Sequence, residues 1–178
     1  MALEETYAAL KRFRDYVIQQ SRSNLTRGGK NVTKGLYNSI KGEIVTDNGY
    51  AIVGFSMDEY GQYQDQGVKG KTSSTRAPNS PFKFGSGRGK KGGLTNGIEK
   101  WVKQRGIQFK DRKTGRFLSY KGTAFLITRS IFHKGLKPSL FFTKPFEAGY
   151  KKYIDEDLME AFGMDIETMV DYNLKEKK

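Results

Sequence analysis

Two apolar runs separated by Asp47-Asn48-Gly49 place the strongest local constraint on how this chain folds. Leu36, Ile40 and Ile44 lie before the break, Ala51 and Val53 after it. Asn-Gly supplies the positive φ angles of a tight turn, so residues 38–46 and 50–57 read as the two strands of a hairpin. Tyr60, Tyr63 and Gly67 then close the second run and open a long polar stretch.

Helical periodicity brackets the hairpin. Leu3, Tyr7, Leu10, Phe13 and Val17 recur at helical spacing, so residues 3–21 read as an amphipathic helix and the polar 22–34 as a loop. Asn96 reads as an N-cap with Glu99 closing a capping box, Ile98, Trp101 and Val102 share one side, and Gly106 is the stop. Residues 107–121 read as a second hairpin with Arg112-Lys113-Thr114-Gly115 at its tip. A third helix carries Ala124, Phe125, Leu126, Ile127 and Ile131 and ends at Gly135. Leu140-Phe141-Phe142 reads as a short strand. Pro145 suits the first position of a fourth helix, with Phe146, Tyr150, Ile154 and Leu158 as its buried face. Strands and helices without regular alternation indicate an α+β class: a small antiparallel sheet packed by an N-terminal helix and C-terminal helices. The expected organisation is a single domain over residues 1–178, with 68–121 as a loop, helix and hairpin insertion and 161–178 as a C-terminal extension. A short acidic segment near 165–173 finishes the chain.

Charge is distributed more unevenly than its net +13 indicates. Residues 1–65 are neutral, with eight basic and eight acidic side chains. Residues 66–152 carry 21 basic side chains against Glu99, Asp111 and Glu147, and residues 153–178 return to −5. Like charge at that density repels itself unless a polyanion or an acidic neighbour compensates. Lys69, Lys71, Arg76, Lys83, Arg88, Lys90 and Lys91 follow one another with no acid between Asp65 and Glu99. Such a run suits contact with phosphates or with an acidic partner, and its simpler reading is a solvated loop. Arg112, Lys113 and Arg116 at the second hairpin tip extend the candidate surface.

Catalytic chemistry finds little to work with. Gly87-Arg88-Gly89-Lys90-Lys91-Gly92 matches GxGxxG, but a dinucleotide fingerprint needs a strand before it and a helix directly after it, and Pro81-Phe82-Lys83-Phe84 is a poor strand. His133, the one histidine, has Ser130 three residues away and no orienting acid, so it reads as a helix-end histidine facing the C-terminal dipole. Asp155, Glu156, Asp157 and Glu160 read as a solvated or partner-facing surface, and Asp58-Glu59 as a turn. With no cysteine, a thiolate metal site is excluded. No cofactor, metal or enzymatic activity is expected, and no apolar stretch approaches a membrane span.

The order of elements from 33 to 67 resembles one family: the neck or tail-completion (head–tail joining) proteins of long-tailed bacteriophages, the group that includes the lambda-type minor tail protein Z. There, a segment near TGxLxxSI leads into a hairpin reading xxVG and then YAxYxxxG. The matching residues are Thr33, Gly35, Leu36, Ser39 and Ile40, then Val53 and Gly54, then Tyr60, Gly61, Tyr63 and Gly67. A Pxxxpa-like segment before a C-terminal helix is matched from Pro138 through Pro145 to Ala148. The likeness covers the N-terminal helix, 33–67 and 136–160, and residues 68–121 depart from it. It implies a virion structural protein made in the host bacterial cytoplasm, forming a ring at the head–tail neck. Its partners would be copies of itself, the portal or connector and the tail tube or terminator, with DNA passing through. Tyr60, Tyr63, Phe141 and Phe142 are then candidate contacts between copies. A free nucleic-acid-binding protein acting through 66–121 and a tail-terminator ring protein are the rival readings.

Overall fold

The structure, a computed structural model, describes residues 4–47, 50–86 and 93–164. It is an α+β protein with two small antiparallel sheets, and the chain divides into two compact units, Met1–Asp58 with Phe141–Lys178, and Glu59–Leu140. The second unit contains the whole of the 68–121 segment.

In the first unit, helix α1 runs Glu4–Arg27 and buries Thr6, Ala9, Leu10, Phe13, Val17, Ser21 and Leu25 along one face. The helix continues past the expected end at 21, because Leu25 prolongs this stripe and is fully buried. Two glycines stop it. Gly29 has φ +63°, the Lys30 amide donates to the Leu25 carbonyl at 3.0 Å and the Gly29 amide to Thr26 at 3.1 Å. Together these make a Schellman end.

Residues expected to begin the first strand form a short helix instead, α2 (Gly35–Ser39), which buries Leu36. Its free carbonyls explain the preference: Arg22 donates from Nε to Tyr37 at 3.1 Å and from Nη2 to Ile40 at 3.0 Å, closing the helix end from outside. The Ser39 hydroxyl accepts the Asp58 amide at 3.0 Å, tying the far end of the hairpin back to α2.

Strands β1 (Lys41–Asp47) and β2 (Tyr50–Ser56) pair with Asp47 opposite Tyr50, leaving the two-residue connection that Asn48-Gly49 announces. Those two turn residues lie outside the described ones. One face of the hairpin meets α1: a Cβ on Gly42 would lie 2.6 Å from Arg14 Cγ, and Phe55 on the paired position stands edge-on to Phe13 at 5.8 Å. The opposite face carries the cross-strand pair Val45 and Ile52, both exposed.

Helix α6 (Thr143–Gly149) continues into a π-helical stretch, Tyr150–Leu158, and stays helical through 164. Pro145 is its third residue, where a missing N–H is still harmless. Phe146 reaches Phe13 and Phe55 at 5.6 and 6.0 Å, closing an aromatic cluster with Phe142. Tyr150, expected in the buried face, is 47% exposed. The wide turns set Tyr153 against Tyr16 at 5.4 Å instead.

The second unit opens with α3 (Tyr60–Gln66) and β3 (Val68–Lys69), the latter paired with β4 (Gly135–Leu136). Between them stand α4 (Gly93–Arg105) and α5 (Tyr120–Lys134), which pack on each other, with Val102 buried on the first and Thr123 and Ala124 on the second. Helix α4 begins three residues before the expected cap, so Asn96 falls inside it. Glu99 pairs with Lys103 at 2.8 Å in place of a capping box. Gly106, with φ +64°, ends α4 as its sequence position suggests.

Residues 107–119 turn back as expected, but only Lys110 and Phe117 bridge, so the arms do not lengthen into strands. Residues 140–142 are not a strand. Ser139 and Leu140 give their amides to the Asp65 carbonyl, each at 3.0 Å, and Leu140 adopts φ +52°, which turns the chain away from any sheet. The acidic 165–173 segment lies outside the described residues.

Candidate interaction surface

The charge separates along the boundary between the units. Glu59–Leu140 carries eighteen Lys and Arg against four Asp and Glu, a balance of +14, whereas the remainder carries fourteen against fifteen. Three of the four acids of the second unit are already occupied. Asp65 is buried and partnered, and Glu99 is held below the ordinary carboxylate range by the hydrogen bond and charge of Lys103. Asp111 is held low by the backbone N–H groups of Thr114 and Lys113. Glu59 alone is exposed at the unit's edge.

The described part of the basic loop is pinned. Lys69 donates its amide to Phe82 at 2.8 Å and accepts from Phe84 at 2.9 Å, so Lys83 runs parallel beside it. The amides of Lys71 and Thr72 donate to the Phe132 and His133 carbonyls at 2.8 and 3.2 Å, capping the C-terminal end of α5. This crossing needs glycine on both sides. A Cβ on Gly70 would land on the His133 carbonyl, and one on Gly135 (φ +91°) would stand 2.5 Å from the Val68 carbonyl.

Part of the basic charge therefore has internal work. Lys71 stands 5.9 Å over the Phe132 ring, Arg76 reaches the Gly135 carbonyl at 3.4 Å, and Lys134 with His133 ends the helix. Cations there complement the negative end of the helix dipole. Lys83 is exposed, Lys69 is half-buried, and neither makes an ion pair among the described residues. Arg88, Lys90 and Lys91 lie outside the described residues.

The second set stands at the other end of α5. Asp111 accepts the amides of Lys113 and Thr114 at 2.8 and 2.9 Å, and Gly115 takes φ +67°, so the tip is a rigid turn that presents Arg112, Lys113 and Arg116 to solvent. The Phe109 amide donates to Thr123 Oγ1 at 3.2 Å, anchoring the hairpin on the first turn of the helix. Between Thr123 and Phe132 the helix rises about 14 Å at ~1.5 Å per residue. Among the described residues, the expected cations thus form two groups at the two ends of one helix.

Of the expected contacts between copies, Tyr60 is half exposed and Tyr63 lies edge-on to Phe82 at 4.7 Å while remaining accessible. Phe141 must be withdrawn. It is 1% exposed, at the centre of a cluster with Leu25, Leu36 and Ile40. Phe142 packs against this core and stands edge-on to Phe55 at 5.5 Å, so it too serves the chain's own interior.

An exposed apolar surface on the second unit escapes sequence reading. Phe117 is 64% exposed, Phe125 59%, and Leu126, Phe109 and Trp101 are also accessible. One signal was present: Ala124 to Ile127 are four consecutive apolar residues, and a helix cannot turn all four inward.

The first unit holds an open groove between α1 and β1, lined by Arg14, Ile18, Arg22, Tyr37 and Glu43 among others. Its guanidinium groups are engaged, Arg14 on Asp15 at 2.7 Å and Arg22 on the carbonyls of Tyr37 and Ile40. Among the described residues no three His, Asp or Glu stand together as metal ligands, and no helix is long and apolar enough to cross a membrane. The chain matches no family model, no curated protein sequence and no solved structure at a significant level.

Proposed function

We propose that this protein is a structural subunit of the head–tail junction of a tailed bacteriophage, a neck or tail-completion protein that assembles as a ring of copies. The observation that carries the reading is the pairing of an uncompensated basic unit with exposed aromatic side chains on that same unit. A lone soluble subunit gains nothing from that combination, whereas a ring subunit covers the apolar part with neighbours and turns the cations toward DNA or an acidic partner. The resemblance of residues 33–67 to the family supports the same conclusion. Non-specific phosphate contact tolerates passage of the duplex because it carries no sequence preference. Portal or connector on one side and tail tube or terminator on the other would be its partners. Electron microscopy of purified virions with the protein labelled tests the reading: label at the neck supports it, and label elsewhere or absent refutes it.

The two cation groups at the ends of α5 favour a second reading, a free nucleic-acid-binding protein. Tight binding of duplex DNA by the isolated monomer, with affinity falling steeply as salt rises, would select it. In that case Lys90→Glu/Lys91→Glu abolishes binding and leaves assembly intact.

A further inference from the structure

We propose that the exposed face of α5 in one copy is covered by the C-terminal helical segment 155–164 of another copy. The inference rests on the ring reading and names the contact that closes the ring.

Helix α5 turns Thr123 and Ala124 inward. Opposite them, Lys121, Phe125 and Arg129 follow at intervals of four residues, with Leu126 beside them, and all four are exposed. The face is a bulky apolar centre between two cations. The far end of the chain presents its counterpart. Ala161 is buried at 2%, which points the other side of that helix outward. On it Met159 is 71% exposed, Phe162 46%, and Asp155 and Glu160 are exposed with them. Residues 153–164 contain Asp155, Glu156, Asp157 and Glu160 and no Lys or Arg, and of these Asp157 reaches Arg12 of its own chain at 4.0 Å.

Each face therefore offers what the other lacks, apolar area against apolar area and opposite charge around it. A duplex would satisfy Lys121 and Arg129 but offers nothing apolar to Phe125 and Leu126. The two faces are different surfaces of one chain, so the contact is head-to-tail, and repeated head-to-tail contacts close into rings or run on as filaments.

Charge reversal on the full chain tests the contact. The parent should self-associate at low salt and dissociate as salt rises, read by sedimentation velocity across concentration. Lys121→Glu/Arg129→Glu and Asp155→Lys/Glu160→Lys should each weaken self-association by roughly tenfold or more, about 1.4 kcal/mol per tenfold step. An equimolar mixture of the two should assemble again, because each reversed face then meets a reversed partner. Circular dichroism matching the parent shows that each variant folds, and the neutral pair Lys121→Gln/Arg129→Gln serves if the reversal does not. A parent that stays monomeric, reversals that assemble like the parent, or a mixture that fails to recover overturns the contact. Duplex binding lost with the α5 reversal alone, assembly unchanged, also overturns it and assigns the face to nucleic acid. A ring at the neck that survives both reversals sinks this contact and leaves the proposed function standing. Assembly through these faces by a protein absent from the particle does the opposite.

Discussion

The two units keep their large side chains in different places. The first buries Phe13, Phe141, Leu10, Leu25, Leu36 and Ile40, and its charge is close to zero. In the second, the buried apolar side chains among the described residues are Val68, Ala77, Val102 and Ala124, while Phe109, Phe117, Phe125 and Trp101 remain accessible. Burying a Phe or Leu is worth about 1.5–3 kcal/mol against leaving it exposed, so the first unit holds itself together by packing. The second relies on backbone hydrogen bonds, glycine crossings and helix caps, and leaves much of its apolar area for something outside it. The larger core thus belongs to the first unit, which still leaves Val45, Ile52, Met159 and Phe162 exposed, whereas the second unit buries little apolar bulk of its own.

Truncating a matched pair of phenylalanines is the strongest way to break that contrast. Phe141→Ala should cost about 3–5 kcal/mol, because it empties a sealed site among Leu25, Leu36 and Ile40. Phe125→Ala, the same truncation on an exposed face, should stay within about 0.5 kcal/mol. Chemical denaturation of each variant, with hydrogen exchange to resolve each unit's amides, measures both. Equal losses would mean that α5 is packed and the contrast false.

The next effect belongs to the second unit's backbone. Gly135→Ala forces a side chain at φ +91° and 2.5 Å from the Val68 carbonyl. The backbone conformation alone costs about 1–3 kcal/mol. Protection of the Lys71 and Thr72 amides should fall, since both bond the adjoining end of α5, while the first unit's amides keep theirs. Loss of protection spread evenly over both units would show that they unfold as one.

Legibility in the sequence follows the same division. The hairpin, the amphipathic α1, the Gly106 stop and the α5 stop at Gly135 were readable because each depends on residues close in sequence. Helix α2 was not, since its carbonyls are closed by Arg22, fifteen and eighteen residues away. Nor was the pinned loop, whose partners Phe132 and His133 lie some sixty residues on. The cations of the candidate surface could be named from charge alone. Their division between the two ends of α5 could not, and neither could the burial of Phe141, because a Phe-Phe pair reads the same in a core and at an interface.

A smaller loss should follow from the cap of α5. The Ser119 hydroxyl accepts the Gly122 amide at 3.0 Å, and Ser119→Ala removes it at a cost of about 1 kcal/mol. The hairpin anchored on that first turn should loosen with it, read as faster exchange at Phe109. Unchanged exchange at Phe109 would detach the hairpin from the helix start.

The smallest effect distinguishes a rigid cationic tip from a merely solvated one. The Thr114 and Lys113 amides hold the carboxyl of half-buried Asp111 below the ordinary 3.8. A carboxyl depressed in the folded chain stabilises it at every pH above its unfolded value, and that contribution disappears as pH falls through the folded value. The tip should therefore be constant from neutrality down to about pH 4 and open below it, within the range where native carboxylates take up protons. Amide resonances of Lys113 and Thr114 report the change directly, and Asp111→Asn, which keeps an acceptor oxygen, should preserve the turn while removing its pH dependence. If those amides titrate well above pH 4, or do not move, the tip owes nothing to Asp111. Arg112, Lys113 and Arg116 would then be three loose cations on a solvated hairpin, and the basic surface would keep only the end pinned at Lys69 and Lys71.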